Sequence, residues 1–319
     1  MNRSILTTVL SLTSLLSVLS LGSGCTISTP ADGTPGSGST STTVPGAPTA
    51  DGGAVVAAAG CGFGEPNDTR DVPTSIALDT AYTGICLSGR EDKDWYQFTA
   101  PSDAAGGWVK VLLSNVHNAA LGAKAYAMGS NREIITAYTA TDGESLAIYF
   151  SVKPGEKFGV VVDEFIGGDQ VATYDMKLAY TKFDDAFESN DSRDAAKTIT
   201  AGTAVEAYLA GLESAATPKG DDVSDWYAVN LSAGQASIKI QNIPTDLSPD
   251  YELVDVNGTR IDNGYTATNG ESLIRNNVAI PATGKYFVRV GAFNHVEDAG
   301  KGDVAPDHFT RKYSLLVSQ

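Results

Sequence analysis

The residues in this sequence best suited to chemistry are the acidic and amide side chains of two short motifs. Glu65, Asn67 and Asp68 stand in FGEPNDTRD, and Glu188, Asn190 and Asp191 stand in FESNDSRD. A second acidic pair follows each motif, Glu91 and Asp94 in the first case and Asp222 and Asp225 in the second, three residues apart both times. Calcium takes six to eight oxygens and accepts Asp, Glu, Asn and main-chain carbonyls, so these positions are candidates for a hard-cation site in each half. The other reading of the same residues is local, because Asn and Asp also cap turns and strand ends with their own side chains. His117, His295 and His308 show neither the helical spacing of a zinc peptidase nor a neighbouring nucleophile elbow. An enzyme is not expected. A hydrolase built from distant segments is the alternative.

The elements that would position these residues are duplicated. Asp94, Trp95 and Tyr96 return as Asp225, Trp226 and Tyr227, and ATDGESL at 140–146 returns as ATNGESL at 267–273. All the matches keep their order at near-constant spacing, so the chain holds two copies of one unit, at 61–182 and 183–319. Within each copy the apolar pattern has period two, broken by Gly, Asn, Asp and Pro. Tyr174, Met176, Leu178 and Tyr180 alternate with Asp175, Lys177 and Ala179, and Tyr313, Leu315 and Val317 close the second copy in the same way. About eight strands per copy and no convincing amphipathic helix predict an all-β protein, two antiparallel β-sandwiches in tandem. Strand alternation puts Trp95 and Trp226 on the outer face, either covered by the EPND-type segment or serving as platforms for sugar or peptide. Trp108 has no counterpart and reads as an ordinary strand aromatic. The second copy carries a longer loop at 291–311, where His295, Glu297, Asp298, Asp303, Asp307 and His308 are candidates to meet a cation or partner; a solvated acidic loop is the alternative.

EPNDT at 65–69, the acidic residue and DWY that follow, and the closing strand YDMKLAYT together resemble the bacterial pre-peptidase C-terminal domain. That domain is a jelly-roll-like β-sandwich attached to secreted proteases and related to bacterial collagen-binding domains. The second copy keeps the pattern as ESNDS and DWY. The resemblance implies a jelly-roll-like sandwich for each copy and calcium at Glu65, Asn67, Asp68, Glu91, Asp94, Glu188, Asn190, Asp191, Asp222 and Asp225. It departs from the related group at Phe63 and Ala186, where that group has the first acidic residue of its pattern. No peptidase precedes either copy in this sequence, so a non-catalytic binding role is expected, with a structural spacer as the alternative.

The first residues place Arg3 ahead of an apolar run from Ile5 to Leu21, then Gly22, Ser23 and Gly24 before Cys25. Residues 1–24 read as a secretory signal. Small residues before a Cys resemble the lipobox of bacterial lipoproteins, which implies acylation of Cys25 and anchoring to a membrane through lipid. Thr26 stands where an inner-membrane retention signal has Asp, and this favours the outer membrane, with a periplasmic or surface-facing protein. Residues 25–60 are rich in Thr, Ser, Gly and Pro and read as a disordered linker of about 35 Å reach. Cys61 and Cys86 remain, and in an oxidising compartment they are expected to pair. With 22 Lys and Arg against 38 Asp and Glu, the net charge of −16 disfavours nucleic acid as a partner. The expected partner is an extracellular or periplasmic protein or polysaccharide.

Overall fold

The computed structural model describes residues 55–58, 61–103, 105–130, 132–167, 171–209, 224–295 and 301–319. The signal, Cys25, most of the linker, Asp222, Glu297, Asp298 and the side chain of His295 lie outside the described set.

The first half contributes β1 (Val55–Ala58), β2 (Thr74–Ser75), β3 (Thr80–Leu87), β4 (Lys93–Thr99), β5 (Gly107–His117), β6 (Ala119–Ala127), β7 (Arg132–Tyr138), β8 (Leu146–Val152), β9 (Lys157–Gly167) and β10 (Ala172–Lys182). The second contributes β11 (Lys197–Thr198), β12 (Val205–Ala207), β13 (Ser224–Leu231), β14 (Gly234–Gln241), β15 (Leu247–Asp255), β16 (Arg260–Tyr265), β17 (Leu273–Ile280), β18 (Gly284–His295) and β19 (Tyr313–Ser318). Among the described residues, helical structure is limited to a 3-10 turn at Arg193–Ala195 and one turn, α1, at Asp307–Thr310. No helix among the described residues is long and apolar enough to cross a membrane.

The strands form four sheets, two per half. The first half has β1-β3-β10-β5-β8 and β2-β4-β9-β6-β7; the second has β12-β19-β14-β17 and β11-β13-β18-β15-β16. Apart from β1, each sheet of one half repeats the strand order of a sheet in the other, and this is what copying one unit produces. The pairing is antiparallel except where β1, β2 and β11 join their neighbours. Each half closes on its own core. Tyr96, Phe98, Val109, Val111, Leu113, Phe150 and Tyr174 belong to the first, and Tyr227, Ile238, Ile240, Leu253, Val288 and Tyr313 to the second. The alternation read in the sequence is what builds these cores, since buried and outward residues alternate along β5 and β10.

Two features depart from expectation. Val55–Ala58, assigned to the linker, form β1 and pair with β3. The four residues are apolar, two of them β-branched, and the Cys61–Cys86 disulfide brings the chain leaving them to within 4.7 Å (Cα to Cα) of β3. Trp108 is not an ordinary strand aromatic. Its ring lies parallel to Phe309, with centroids 5.9 Å apart, and tilted against Tyr149 at 5.8 Å. These rings join Ala147 and Phe183 in a third small core that welds the halves.

The long loop of the second half makes this weld. Lys301 bridges Ile148 on the edge strand β8, the Gly302 N–H donates to the Ala147 carbonyl at 3.0 Å, and the Tyr149 hydroxyl donates to the Asp303 carbonyl at 2.9 Å. The loop then turns through α1, which carries buried Phe309. Asp307 accepts from the Thr245 N–H and hydroxyl and pairs with Arg311. His308 is 1% exposed, with Nδ1 2.8 Å from the Asp246 carboxylate. Asp303, Asp307 and His308, candidates to meet a cation or partner, hold the junction: the first by its main chain, the other two by hydrogen bonds that fix the turn carrying Phe309.

Phe309→Ala removes the centre of the weld. A buried Phe truncated to Ala costs roughly 3–5 kcal/mol. In scanning calorimetry the variant is expected to unfold in two separated transitions where the parent unfolds in one; an unchanged single transition would show that the junction carries no stability.

Candidate cation sites

Both candidate sites begin with strand parity. On β4, Asp94 shares the inward face with Tyr96 and Phe98, so the carboxylate enters the core and Trp95 faces outward. The Tyr174 hydroxyl on β10 donates to Asp94 Oδ2 at 2.5 Å. That uses its one proton, so the Tyr96 hydroxyl, 2.9 Å away, donates to the Tyr174 oxygen. Because β4 and β10 lie in different sheets, the triad crosses the sandwich. The second half repeats it: Tyr313 on β19 donates to Asp225 Oδ2 on β13 at 2.5 Å, and Tyr227 lies 2.7 Å from Tyr313.

The motif loops dock on these strands through the main chain. The Trp95 N–H donates to the Asn67 carbonyl at 3.0 Å, and the Trp226 N–H to the Asn190 carbonyl at 2.8 Å. This bond explains why the EPND-type motif and DWY recur together. The expected cover for Trp95 comes instead from Tyr126, with ring centroids 5.3 Å apart. Arg70 of the motif segment lies over Tyr126 and holds the carbonyls of Ala127 and Met128.

In the first half, Glu65, Asp92 and Asp94 each place a carboxylate oxygen within 4.8 Å of the others. Asn67 is fully buried beside them. With its amide nitrogen turned inward it lies 3.0 Å from Glu65 Oε2 and 3.2 Å from Asp94 Oδ1; with its oxygen turned inward, that oxygen faces only other acceptors. Asp92 replaces the expected Glu91. Gly89 to Asp92 form a turn before β4, the Asp92 N–H donating to the Gly89 carbonyl, so strand parity does not govern these positions and Glu91 points to solvent. Asp92 Oδ2 accepts from the Ser88 N–H and hydroxyl, while its Oδ1 is buried without a hydrogen-bond partner. Glu164 on β9, unnoticed in the sequence, buries both carboxylate oxygens without a partner and feels the Asp92 charge. Its signal was available, since Glu164 continues the inward face of Val160 and Val162. Asp68 stays at the rim of an open pocket lined by Ser88, Gly89, Arg90, Glu91 and Asp92.

In the second half, burial and the nearby Asp191 and Asp185 charges disfavour ionisation of Glu188, and burial with the Glu188, Asp185 and Asp191 charges disfavours that of Asp225. Asn190 is 1% exposed and lies against Tyr227, yet both of its amide atoms lack a partner in hydrogen-bond geometry. Asp185, next to the departure at Ala186, is buried and accepts from the Phe187 and Tyr208 N–H groups at 2.8 Å each, so it ties the loop down. Lys153 of the first half reaches Asp191 at 4.0 Å.

The electrostatics follow from this crowding. Burial lifts the Asp94 carboxyl to about 7, against the pull of the Tyr174 hydrogen bond and with the help of the Asp92 and Glu65 charges. Burial likewise lifts Glu188 to about 7, with Asp191 and Asp185 adding to it, and it raises Asp225 well above its ordinary value. The converging carboxylates of Glu65, Asp92 and Asp94 make the first cluster a candidate for a hard cation. His308 and Asp246 form a pair that a hydrolase could use, but the imidazole is enclosed and lies 4.5 Å from the Phe309 ring.

No family model matches the chain, and no curated protein matches it. Among solved structures it is similar to the pre-peptidase C-terminal domain of a collagenase from Bacillus anthracis, at 20% identity over 33% of this chain and 93% of that one, TM-score 0.27. It is also similar to tripeptidyl peptidase 2, at 10% identity over 77% of this chain and 24% of that one, TM-score 0.28. A third is a secreted protein from Parabacteroides distasonis, at 12% identity over 75% of this chain and 88% of that one, TM-score 0.24.

Two outcomes follow for measurement. Tyr174→Phe leaves the buried Asp94 without its donor and is expected to cost about 1–3 kcal/mol in urea unfolding. In chelator, Asp94 and Glu188 have folded values of about 7 against ordinary values of 3.8 and 4.5. The native state keeps protons that the unfolded chain releases, so this contribution is complete below about pH 4 and fades as pH rises through about 7. The melting temperature in chelator should therefore fall over that interval, and a rise would contradict the assigned burial.

Proposed function

We propose that the chain is a non-catalytic, lipid-anchored envelope protein whose two sandwiches bind protein or polysaccharide, with calcium at the acidic clusters. The observation that supports the cation reading is the convergence of the Glu65, Asp92 and Asp94 carboxylates, with Asp92 Oδ1 buried and without a donor. A cation there would be held by Glu65, Asp92 and Asp94, with Asn67 offering its amide oxygen. It would supply the positive charge these groups lack and fix the motif loop on β4. In the second half Glu188, Asn190, Asp191 and Asp225 are the candidates for an equivalent cation, while Asp222 lies outside the described residues. Anchoring is supported by the small residues before Cys25, and export by the Cys61–Cys86 disulfide.

Calorimetric titration of the chelator-treated protein with calcium is expected to give saturable heat, a higher melting temperature and loss of the pH slope described above. Asp92→Asn should weaken the response by tenfold or more, on the order of 1.4 kcal/mol. Absence of heat at millimolar calcium together with an unmoved melting temperature would overturn the cation reading. Separately, Cys25→Ser should move the protein from the membrane to the soluble fraction.

A further inference from the structure

The longest run shared by the two halves is not at the acidic clusters. It is YTATDGESL at 138–146 and YTATNGESL at 265–273, which differ at a single position. The loop explains most of this identity. Gly143 and Gly270 adopt φ of 79° and 77°, and their N–H groups donate to the carbonyls of Ala119 and Leu247. The loop does not explain the leading tyrosine. Tyr138 and Tyr265 end β7 and β16 with their side chains 60% and 58% exposed, and each stacks on a second exposed aromatic, Phe165 on β9 or Phe293 on β18. The centroid separation is 4.0 Å in both pairs, with interplanar angles of 21° and 18°.

The floor beside each pair is preserved by exchange. In the first half Tyr138 faces Gly122, which faces Asp163; in the second Tyr265 faces Asp250, which faces Gly291. Directly opposed residues share a face of the sheet, so each outer row holds a tyrosine, a glycine and an aspartate, with the last two on swapped strands. A Cβ on Gly122 would collide with Asp163 Oδ1, and one on Gly291 with Asp250 Oδ1. Each glycine thus makes room for the other strand's carboxylate, and the two halves reach the same surface by different residues.

We propose that each half carries a glycan-binding site, formed by Tyr138 and Phe165 in the first and by Tyr265 and Phe293 in the second, and that the ligand is a neutral polysaccharide. This names the ligand class within the binding reading above and rests on it. Pyranose rings present flat C–H faces that lie against aromatic rings, and their hydroxyls pair with polar groups such as the exposed Glu144 and Ser145, or Glu271 and Ser272, of the loop that each tyrosine opens. The ligand's charge follows from the surroundings. A polyanion meets a protein of net charge −16, and at the second site a cationic chain meets Arg289, which already holds Asp250 at 2.6 Å. The size also fits. Half-exposed rings of this kind offer on the order of 200 Å² per pair, well short of the roughly 800 Å² per side of a specific protein interface. Two equivalent sites on one chain suit a ligand that repeats, because the second contact forms at high effective concentration.

The test is affinity electrophoresis of the full chain in native gels cast with hydroxyethyl cellulose, laminarin, galactomannan or soluble starch, with and without chelator. Retardation by at least one polymer is expected in both conditions, since neither aromatic pair includes a residue of the acidic clusters. Tyr138→Ala or Tyr265→Ala alone should weaken retardation about tenfold or more through lost avidity. The double variant should abolish it with little change in melting temperature, while Tyr138→Phe with Tyr265→Phe should keep it. No retardation by any of the four polymers, or equal retardation of the parent and the double alanine variant, would overturn the proposal. So would tyrosine-dependent binding to gelatin or polylysine in place of the glycans. Intact glycan binding with no calcium heat would sink the cation reading alone.

Discussion

In each half one buried carboxylate stitches the two sheets together. Asp94 and Asp225 sit in the core, where an unpaired polar group is expensive, and each is held by a tyrosine from the closing strand of the opposite sheet. The bond is directional where apolar packing is not, so it sets which residue of the closing strand faces which residue of DWY, and with it the registration of one sheet on the other. It also leaves Asp94 Oδ1 turned toward the motif loop, where Asn67 and Glu65 converge. The stitch and the acidic cluster are therefore two sides of one carboxylate: one oxygen is spent on the fold, the other is turned to the site.

The halves share this interior and differ at their margins. The first has a disulfide and the added strand β1 on one edge of its sheet. The second has the long loop, whose Phe309 seats against Trp108 and Phe183. At the junction, Trp108 has no Trp counterpart and the loop carrying Phe309 is longer than its equivalent in the first copy. The stacked pairs on the outer faces belong to the shared part, and there the Gly and Asp exchange shows the surface arrangement outlasting the residues that first made it.

Much of this was legible in the sequence, and the reasons for the rest are physical. The strands were readable because Tyr174, Met176 and Leu178 face one core and their neighbours face water, so burial wrote a period of two into the chain. The duplication was readable because Asp94 and Asp225 make the same hydrogen bond to the tyrosine of the closing strand. Asp92 was not, since turn geometry before β4 places it and spacing arguments presuppose a strand. Glu164 was overlooked although it sits in phase with Val160 and Val162, where an acid among inward valines is the visible anomaly. Trp108 and Phe309 were opaque for another reason: their contact joins residues some 200 positions apart across a boundary that no local pattern encodes.

The bridge from Lys301 to β8 has a further consequence. β8 and β17 occupy matching ends of matching sheets, but they are written differently. LAIYFSV is buried at six of its seven positions, whereas LIRNNVAI turns Arg275, Asn276 and Asn277 to water. Polar and charged side chains keep an open strand from recruiting foreign chains, and β17 carries its own. β8 lacks them and borrows a guard from its neighbour's loop. The halves are thus not interchangeable beads: separated, the second would keep a self-protected rim, and the first would bare an adhesive one.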